Sequence, residues 1–214
     1  MRLDIKGVIV SNEDGWIYDW YGFENTTPKK VKEAVKQAKD SAEPLDVYIN
    51  SGGGDLSAGS EIYAELAQVR NLKIHVIEAC SAASVIMCAG KSDIVPSGMV
   101  MIHNVRMGAD GDHRDMEHAS DVLKTADKAV AAAYCAKSGK SEKEMLELMA
   151  KETWLTALQA VEMGLVDEIA APEGQYIPQL AASKGDLLPE KMVSAMRQKR
   201  MEAITRLELL KLRR

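Results

Sequence analysis

Short apolar runs that alternate with helical segments constrain the fold of this chain more than any other feature. Such runs predict strands over residues 3–10, 16–20, 45–49, 73–79, 93–95, 99–102, 154–155 and 166–170. Helical periodicity or a capping residue predicts helices over residues 27–39, 57–69, 84–89, 113–137, 141–151 and 157–163. Parallel strands are joined by crossover helices, so this order predicts an α/β fold built on a mostly parallel sheet.

Residues typical of catalytic sites follow three of the predicted strands. The run Gly52-Gly53-Gly54 follows one strand, Ser81 and Ser84 follow the next, and His103 follows the strand 99–102. A serine at the start of a helix lies near free backbone N–H groups, which stabilise an oxyanion. The pattern therefore predicts acyl transfer, with Ser84 as the candidate nucleophile, Ser81 as its rival and His103 as the base.

Composition argues against several classes of function. The formal net charge of −5 gives no general reason to expect nucleic-acid binding. No apolar run approaches the length of a membrane span, and residues 1–6 lack the apolar core of a secretory signal. The three cysteines lack metal-type spacing, which predicts reduced thiols, a cytoplasmic protein and no metal site. The glycines do not match a dinucleotide or ATP-binding motif, so we expect no cofactor.

The C-terminal part differs from the rest of the chain. We expect a compact domain over residues 1–170 and a linker over 171–187, where prolines, glycines and small polar residues concentrate. Residues 188–214 hold eight Lys or Arg against three Glu, and their periodicity predicts a basic helical tail. That tail fits a solvated or partner-dependent helix, a docking segment for a virion or chaperone partner, or a membrane-surface helix.

Four ordered motifs resemble the ClpP proteolytic subunits of the Clp proteases. The run from Tyr48 to Tyr63 resembles their Ile-Asn-Ser-Pro-Gly-Gly…Ala-Gly…Ile-Tyr pattern, although Gly52 replaces the usual proline. Ala82-Ala83-Ser84 resembles their Ala-Ala-Ser nucleophile site, and Met101-Ile102-His103-Asn104 resembles their Met-Ile-His-Gln motif. Residues 155–167 resemble their closing Gly-Leu-(Ile/Val)-Asp run. The resemblance covers residues 1 to about 170 and implies the ClpP/crotonase fold, in which β-β-α units stack and a handle helix, here from His113, protrudes.

The resemblance also implies a serine endopeptidase with named site residues. Ser84 would be the nucleophile and His103 the base, and Glu152 stands where the family usually has the triad aspartate, with Asp167 and Asp93 as the fallbacks. The implied oxyanion hole and substrate-binding residues lie around the same strand ends. They are Gly54 and Val85 for the hole, and Gly53, Asp55 and Leu56 for an extended substrate.

The run Lys151–Trp154 looks like the phage and prophage branch of the family, whose members often act in head maturation. The family implies a polypeptide substrate and a homo-oligomeric ring of roughly six or seven subunits, single or stacked in pairs. Capsid or scaffold proteins, or a separate ATPase, would be its partners. Two alternatives stay open: a catalytically inactive, ring-forming or capsid-associated homologue, and a crotonase-like acyl-CoA enzyme that shares the fold.

Overall fold

A seven-stranded sheet forms the centre of residues 1–41 and 43–170, the part of the chain that the computed structural model describes. The strand order is β2-β1-β3-β4-β5-β6, and β7 pairs with the first half of β5. All pairs are parallel except β5 with β6. The strands are β1 (Arg2–Ile9), β2 (Asn25–Thr26), β3 (Leu45–Gly54), β4 (Leu72–Cys80), β5 (Lys91–Ile102), β6 (Thr153–Thr156) and β7 (Glu168–Ile169). The predicted α/β class with a mostly parallel sheet is confirmed.

Helices connect most of the strands. They are α1 (Gly15–Tyr21), α2 (Pro28–Ser41), α3 (Leu56–Leu66), α4 (Ala82–Met87), α5 (His113–Ser138), α6 (Glu142–Ala150) and α7 (Ala157–Glu162). Helix α5 is the predicted handle: its first half is largely exposed, and its buried positions begin only at Asp127. The polar residues that precede α5 and α6 explain where these helices start, because the side chains of Asp112 and Ser141 each form a capping box.

Packing around α4 fixes the centre of the molecule. All six residues of α4 are buried, and the alternating residues Leu45, Val47 and Ile49 of β3 are fully buried in the same core. Helix α3 lies close to α4 because Gly59 has no side chain: a Cβ at Gly59 would come 3.0 Å from the Cβ of Ala82. The Ala-Gly pair in the sequence therefore serves the close approach of two helices.

Two local predictions are wrong. Residues 16–20 form helix α1 rather than a strand, and Gly22 ends the helix at φ 70°, where its N–H donates to the carbonyl of Asp19. Their aromatic content favours strands but does not decide the matter over so short a window. The two short strands expected at 93–95 and 99–102 are halves of the single strand β5, whose register against β4 shifts between Ile94 and Met99.

The expected linker over 171–187 and basic tail over 188–214 lie outside the described residues. Within residues 1–41 and 43–170, no helix is both long enough and apolar enough to cross a bilayer.

Candidate active site

The candidate site lies where three neighbouring parallel strands end. β3, β4 and β5 are adjacent in the sheet, so the residues that follow them meet at one edge. A cavity of about 330 Å³ opens there. It is lined by Gly54, Asp55, Leu56, Ser57, Ser81, Ala82, Val85, His103, Val105, Arg106, Val130 and Tyr134.

Ser81 and His103 form a hydrogen-bonded pair at this cavity. The distance from Ser81 Oγ to His103 Nε2 is 2.8 Å. Ser81 adopts φ 56° and ψ −124°, a backbone conformation that L-residues rarely adopt. Its own N–H donates to the carbonyl of Met101 on β5 at 2.9 Å, which ties the turn to the strand that carries His103. Strained residues of this kind concentrate at functional sites.

Ser84, the nucleophile expected from the sequence, lies elsewhere. Its side chain is fully buried, and its hydroxyl donates to the carbonyl of Ser81 at 2.6 Å. The hydroxyl oxygen of Tyr134 lies 2.7 Å from the hydroxyl oxygen of Ser84. The structure therefore does not bring Ser84 and His103 together. His103 is hydrogen-bonded instead to Ser81, the rival candidate. Ser81 occupies the strand-to-helix turn itself and Ser84 lies in the first turn of the helix, two positions that the sequence pattern alone does not distinguish.

Glu152 lies near His103 but is bonded to another group. Its carboxylate, on a side chain that is 45% exposed, forms an ion pair with Arg106. His103 Nδ1 is buried and has no hydrogen-bond partner among the described residues. Glu152 also adopts φ 49°, so a left-handed backbone sets the direction of its side chain. The expected triad of Ser84, His103 and Glu152 is therefore not assembled here: His103 bonds to Ser81, and the Glu152 carboxylate pairs with Arg106.

The environment of His103 favours its neutral form. Burial lowers the pKa of His103, and the nearby Arg106 cation lowers it further. Glu152 and Asp127 act in the opposite direction, but the net pKa remains below its ordinary value. A neutral imidazole can accept a proton from Ser81 at neutral pH, as a general base requires.

The two fallback carboxylates are held by other partners. Asp167 accepts a hydrogen bond from the backbone N–H of Ser92 at 2.7 Å and pairs with Lys137. Asp93 accepts from His75 at 2.9 Å and pairs with Lys73 at 3.0 Å. Glu152 lies close enough to His103 to raise its pKa, whereas neither Asp167 nor Asp93 is among the charges that do so, and the geometry therefore favours Glu152 over both.

The predicted oxyanion and substrate residues fall around the cavity. Gly54, Leu56 and Val85 line it, and Asp55 lines it while its carboxylate caps α3 by accepting from the N–H of Ala58 at 2.7 Å. Gly53 packs beneath the turn: a Cβ there would come 2.7 Å from the Cβ of Ser81.

With Ser81 in the turn, the N–H that follows the serine belongs to Ala82. Ala82 is the first residue of α4, so this N–H has no acceptor inside its own helix. The side chain of Val85 lies one helical turn further along. The geometry therefore favours the pair Gly54 and Ala82 for the oxyanion hole over the predicted pair Gly54 and Val85.

The cysteines next to the site are protonated, whereas a nucleophilic cysteine is a thiolate. Burial raises the pKa of Cys80 and of Cys88 to about 12, so both stay protonated thiols at neutral pH. Within residues 1–41 and 43–170, no group of three or more His, Cys, Asp or Glu side chains is placed to hold a metal ion.

Comparison with known proteins places these elements in one family. A family model described as Clp protease matches residues 29–173. The matched range spans more than half of the chain and contains Ser81, His103 and Glu152.

Proposed function

The chain belongs to the Clp protease family, and we propose that it is a serine endopeptidase with Ser81 as nucleophile and His103 as general base. The family generally acts on polypeptides and assembles into rings. The observation that carries the proposal is the 2.8 Å contact between Ser81 Oγ and His103 Nε2 at the cavity. It supplies a nucleophile and a base within direct proton-transfer distance.

The reaction follows from this geometry. Ser81 Oγ attacks the peptide carbonyl while His103 Nε2 takes the hydroxyl proton and then delivers it to the leaving amine. The carbonyl oxygen gains negative charge, which the N–H groups of Gly54 and Ala82 stabilise. Water then attacks the acyl ester on Ser81, with His103 again acting as base, and regenerates the serine.

We assign the orienting carboxylate to Glu152. It is the acidic residue that the sequence motif predicts, and its charge raises the pKa of His103. To accept a hydrogen bond from Nδ1, the carboxylate has to leave Arg106 and turn towards the imidazole.

The walls of the cavity support a preference for an apolar residue just before the cleaved bond. The cavity beside Ser81 is lined by Leu56, Val85, Val130 and Tyr134. A second apolar cavity of about 370 Å³ shares three of these residues and continues along α5. Apolar lining binds apolar side chains by removing both surfaces from water.

Active-site labelling tests the nucleophile directly. A fluorophosphonate probe should label the full-length protein, and fragmentation of the labelled peptide should place the adduct on Ser81. Ser81→Ala should abolish labelling, whereas Ser57→Ala, which alters another serine of the same cavity, should label normally. An adduct on Ser84 would reject the assignment. No adduct, together with no hydrolysis of peptides, would favour the inactive homologue, and turnover of an acyl-CoA without peptide hydrolysis would favour the crotonase-like enzyme.

We further propose that the protein forms a homo-oligomeric ring of roughly six or seven subunits, single or stacked in pairs, in which α5 contacts a second copy. The exposed first half of α5 carries Met116 and Val122, which are 40% and 43% exposed in the single chain. Glutamate substitutions at both positions should shift the sedimentation coefficient towards that of smaller species. Glu117→Gln, on an exposed neighbouring position, should leave it unchanged. A wild-type protein that sediments as a monomer at micromolar concentration would contradict the ring.

The motif at 151–154 supports a more specific assignment to the phage and prophage head-maturation branch of the family. The substrate would then be a capsid or scaffold polypeptide. The free thiols of Cys80, Cys88 and Cys135 support a reducing, cytoplasmic setting. Cleavage of a folded scaffold-type protein without ATP or an added unfoldase is the expected result. Cleavage that requires a separate ATPase would instead support the role of a proteolytic subunit served by that partner.

A further inference from the structure

Two buried hydroxyl groups form a chain beneath the strand-to-helix turn. Ser84 and Tyr134 are 0% and 1% exposed. The single hydroxyl hydrogen of Ser84 goes to the carbonyl of Ser81 at 2.6 Å, so in the 2.7 Å contact with Tyr134 the tyrosine is the donor. Burial raises the pKa of Tyr134 well above its ordinary value, so this donor stays protonated. The order is thus Tyr134 to Ser84 to the Ser81 carbonyl.

This chain of hydrogen bonds ends on the peptide group between Ser81 and Ala82. Ser81 has a positive φ, and its carbonyl accepts from both the N–H of Ser84 at 3.0 Å and the Ser84 hydroxyl. A conformation of this kind persists only where surrounding bonds hold it. Since hydrogen bonds in a chain polarise one another, the tyrosine strengthens the bond that Ser84 makes.

The same peptide group carries the N–H that we assign to the oxyanion hole. A trans peptide is planar, so its C=O and N–H point in opposite directions. Fixing the Ser81 carbonyl towards Ser84 therefore fixes the Ala82 N–H away from it. Ala82 lines the cavity with Gly54 and His103, which is where the negative oxygen would form.

We propose that Ser84 and Tyr134 are positioning residues, which hold the Ser81–Ala82 peptide so that the Ala82 N–H is aimed at the developing oxyanion. This inference rests on the proposed function, because it needs Ser81 as the nucleophile. It assigns a role to the serine that the sequence motif singles out, although that serine does not touch the substrate. It also gives Tyr134 two tasks, since this residue lines the cavity and its hydroxyl supports the turn.

Single-atom deletions test the proposal. Ser84→Ala and Tyr134→Phe each remove one oxygen. Cys88→Ala removes one sulfur as the matched control, at the buried C-cap of the same helix, where the thiol contacts the Ser84 carbonyl but not its hydroxyl. Removing one oxyanion donor outright costs about 10²–10³ in kcat, and misdirecting it should cost less. We expect each test variant to lower kcat about tenfold with KM within about twofold, counted per fluorophosphonate-titrated site. Cys88→Ala should keep kcat within about twofold.

A transition-state analogue and the double variant sharpen the test. A peptide boronic acid, whose tetrahedral adduct occupies the oxyanion hole, should bind more weakly by the same factor as kcat falls. Because Tyr134 acts through Ser84, the double variant should lose no more than Ser84→Ala alone. Melting curves show whether each variant is folded, and Tyr134→Phe keeps the test open if Ser84→Ala does not fold.

Three results would overturn the proposal. They are an unchanged kcat in both variants, a rise in KM with kcat preserved, and fully multiplicative losses in the double variant. Failure of the proposed function has a different signature, namely fluorophosphonate labelling that survives Ser81→Ala.

Discussion

The two sides of the candidate site are held in opposite ways. On the nucleophile side, Ser81 begins a helix whose six residues are all buried, and interior hydrogen bonds fix its backbone. On the carboxylate side, Glu152 is 45% exposed and pairs with Arg106, whose side chain is 72% exposed. His103 lies between them, bonded at Nε2 to Ser81 and without a partner at Nδ1 among the described residues.

This difference teaches which part of the site the single chain determines. Core packing and buried hydrogen bonds hold the Ser81 turn whatever lies outside it. A surface ion pair contributes little energy, so the Glu152 carboxylate can change partner at small cost. Anything that packs against this surface, including another copy of the chain, can therefore decide whether the triad is complete.

The largest expected effect is on the nucleophile side. Ser81→Ala should reduce kcat by about 10⁴-fold or more while the melting temperature stays near that of the wild type, because only one hydroxyl that lines the cavity is lost. Hydrolysis of a fluorogenic peptide, with purified protein checked by thermal melting, measures both. An active Ser81→Ala protein would mean that Ser81 is not the nucleophile, and the comparison between the two sides would no longer hold.

On the carboxylate side, Glu152→Gln should lower kcat by about a hundredfold. The charge that orients the imidazole is lost at nearly constant volume, and the corresponding aspartate-to-asparagine change in another triad costs about 10⁴. A smaller loss is expected because a partly exposed site lets water substitute. Lys151→Gln, the neighbouring exposed position, is the control and should retain wild-type kcat. Near-normal turnover of Glu152→Gln would mean that the site works as a dyad.

The sequence was sufficient to predict the elements that carry the site. Apolar runs followed by glycine, serine and histidine predicted three strand ends, and parallel pairing brings those ends together. The position of His103 at the end of β5 follows from this pattern alone. The handle helix and its serine-capped successor were also readable, because their capping residues are local signals.

The choice between the two serines could not be read from the sequence. Ser81 and Ser84 both lie at the start of one helix, and only burial and backbone conformation separate them. The partner that buries the Ser84 hydroxyl is Tyr134, 50 residues further along the chain. The ion pair between Arg106 and Glu152 joins residues 46 apart and is equally invisible to local patterns. The burial of Ser84 and the pairing of Glu152 both depend on side-chain contacts between residues far apart in the sequence.

A backbone prediction tests how tightly the nucleophile side is packed. Gly53→Ala should destabilise the protein by about 2 kcal/mol or more, since Gly53 has φ 94° and its new Cβ would come 2.6 Å from the carbonyl oxygen of Cys80. Gly52→Ala is the matched control, because nothing lies within 4 Å of a Cβ there. Its stability should change by no more than about 0.5 kcal/mol. Urea unfolding of both variants measures the difference, and equal stabilities would show that the turn has room.

The smallest expected effect concerns the pH dependence set by Arg106. Neutral His103 is the active form, so kcat/KM rises with pH through the pKa of the free enzyme. The pKa of His103 is lowered by burial and then by the Arg106 cation, whereas Glu152 raises it. Arg106→Gln should therefore move the acid limb of the profile to higher pH, and Glu152→Gln should move it to lower pH. Each shift should be small, because both charges are exposed and screened. Shifts in the same direction for both variants would show that Arg106 and Glu152 do not act on the pKa of His103 as two separate, opposite charges. The comparison between the two sides of the site would then need another account of the carboxylate side.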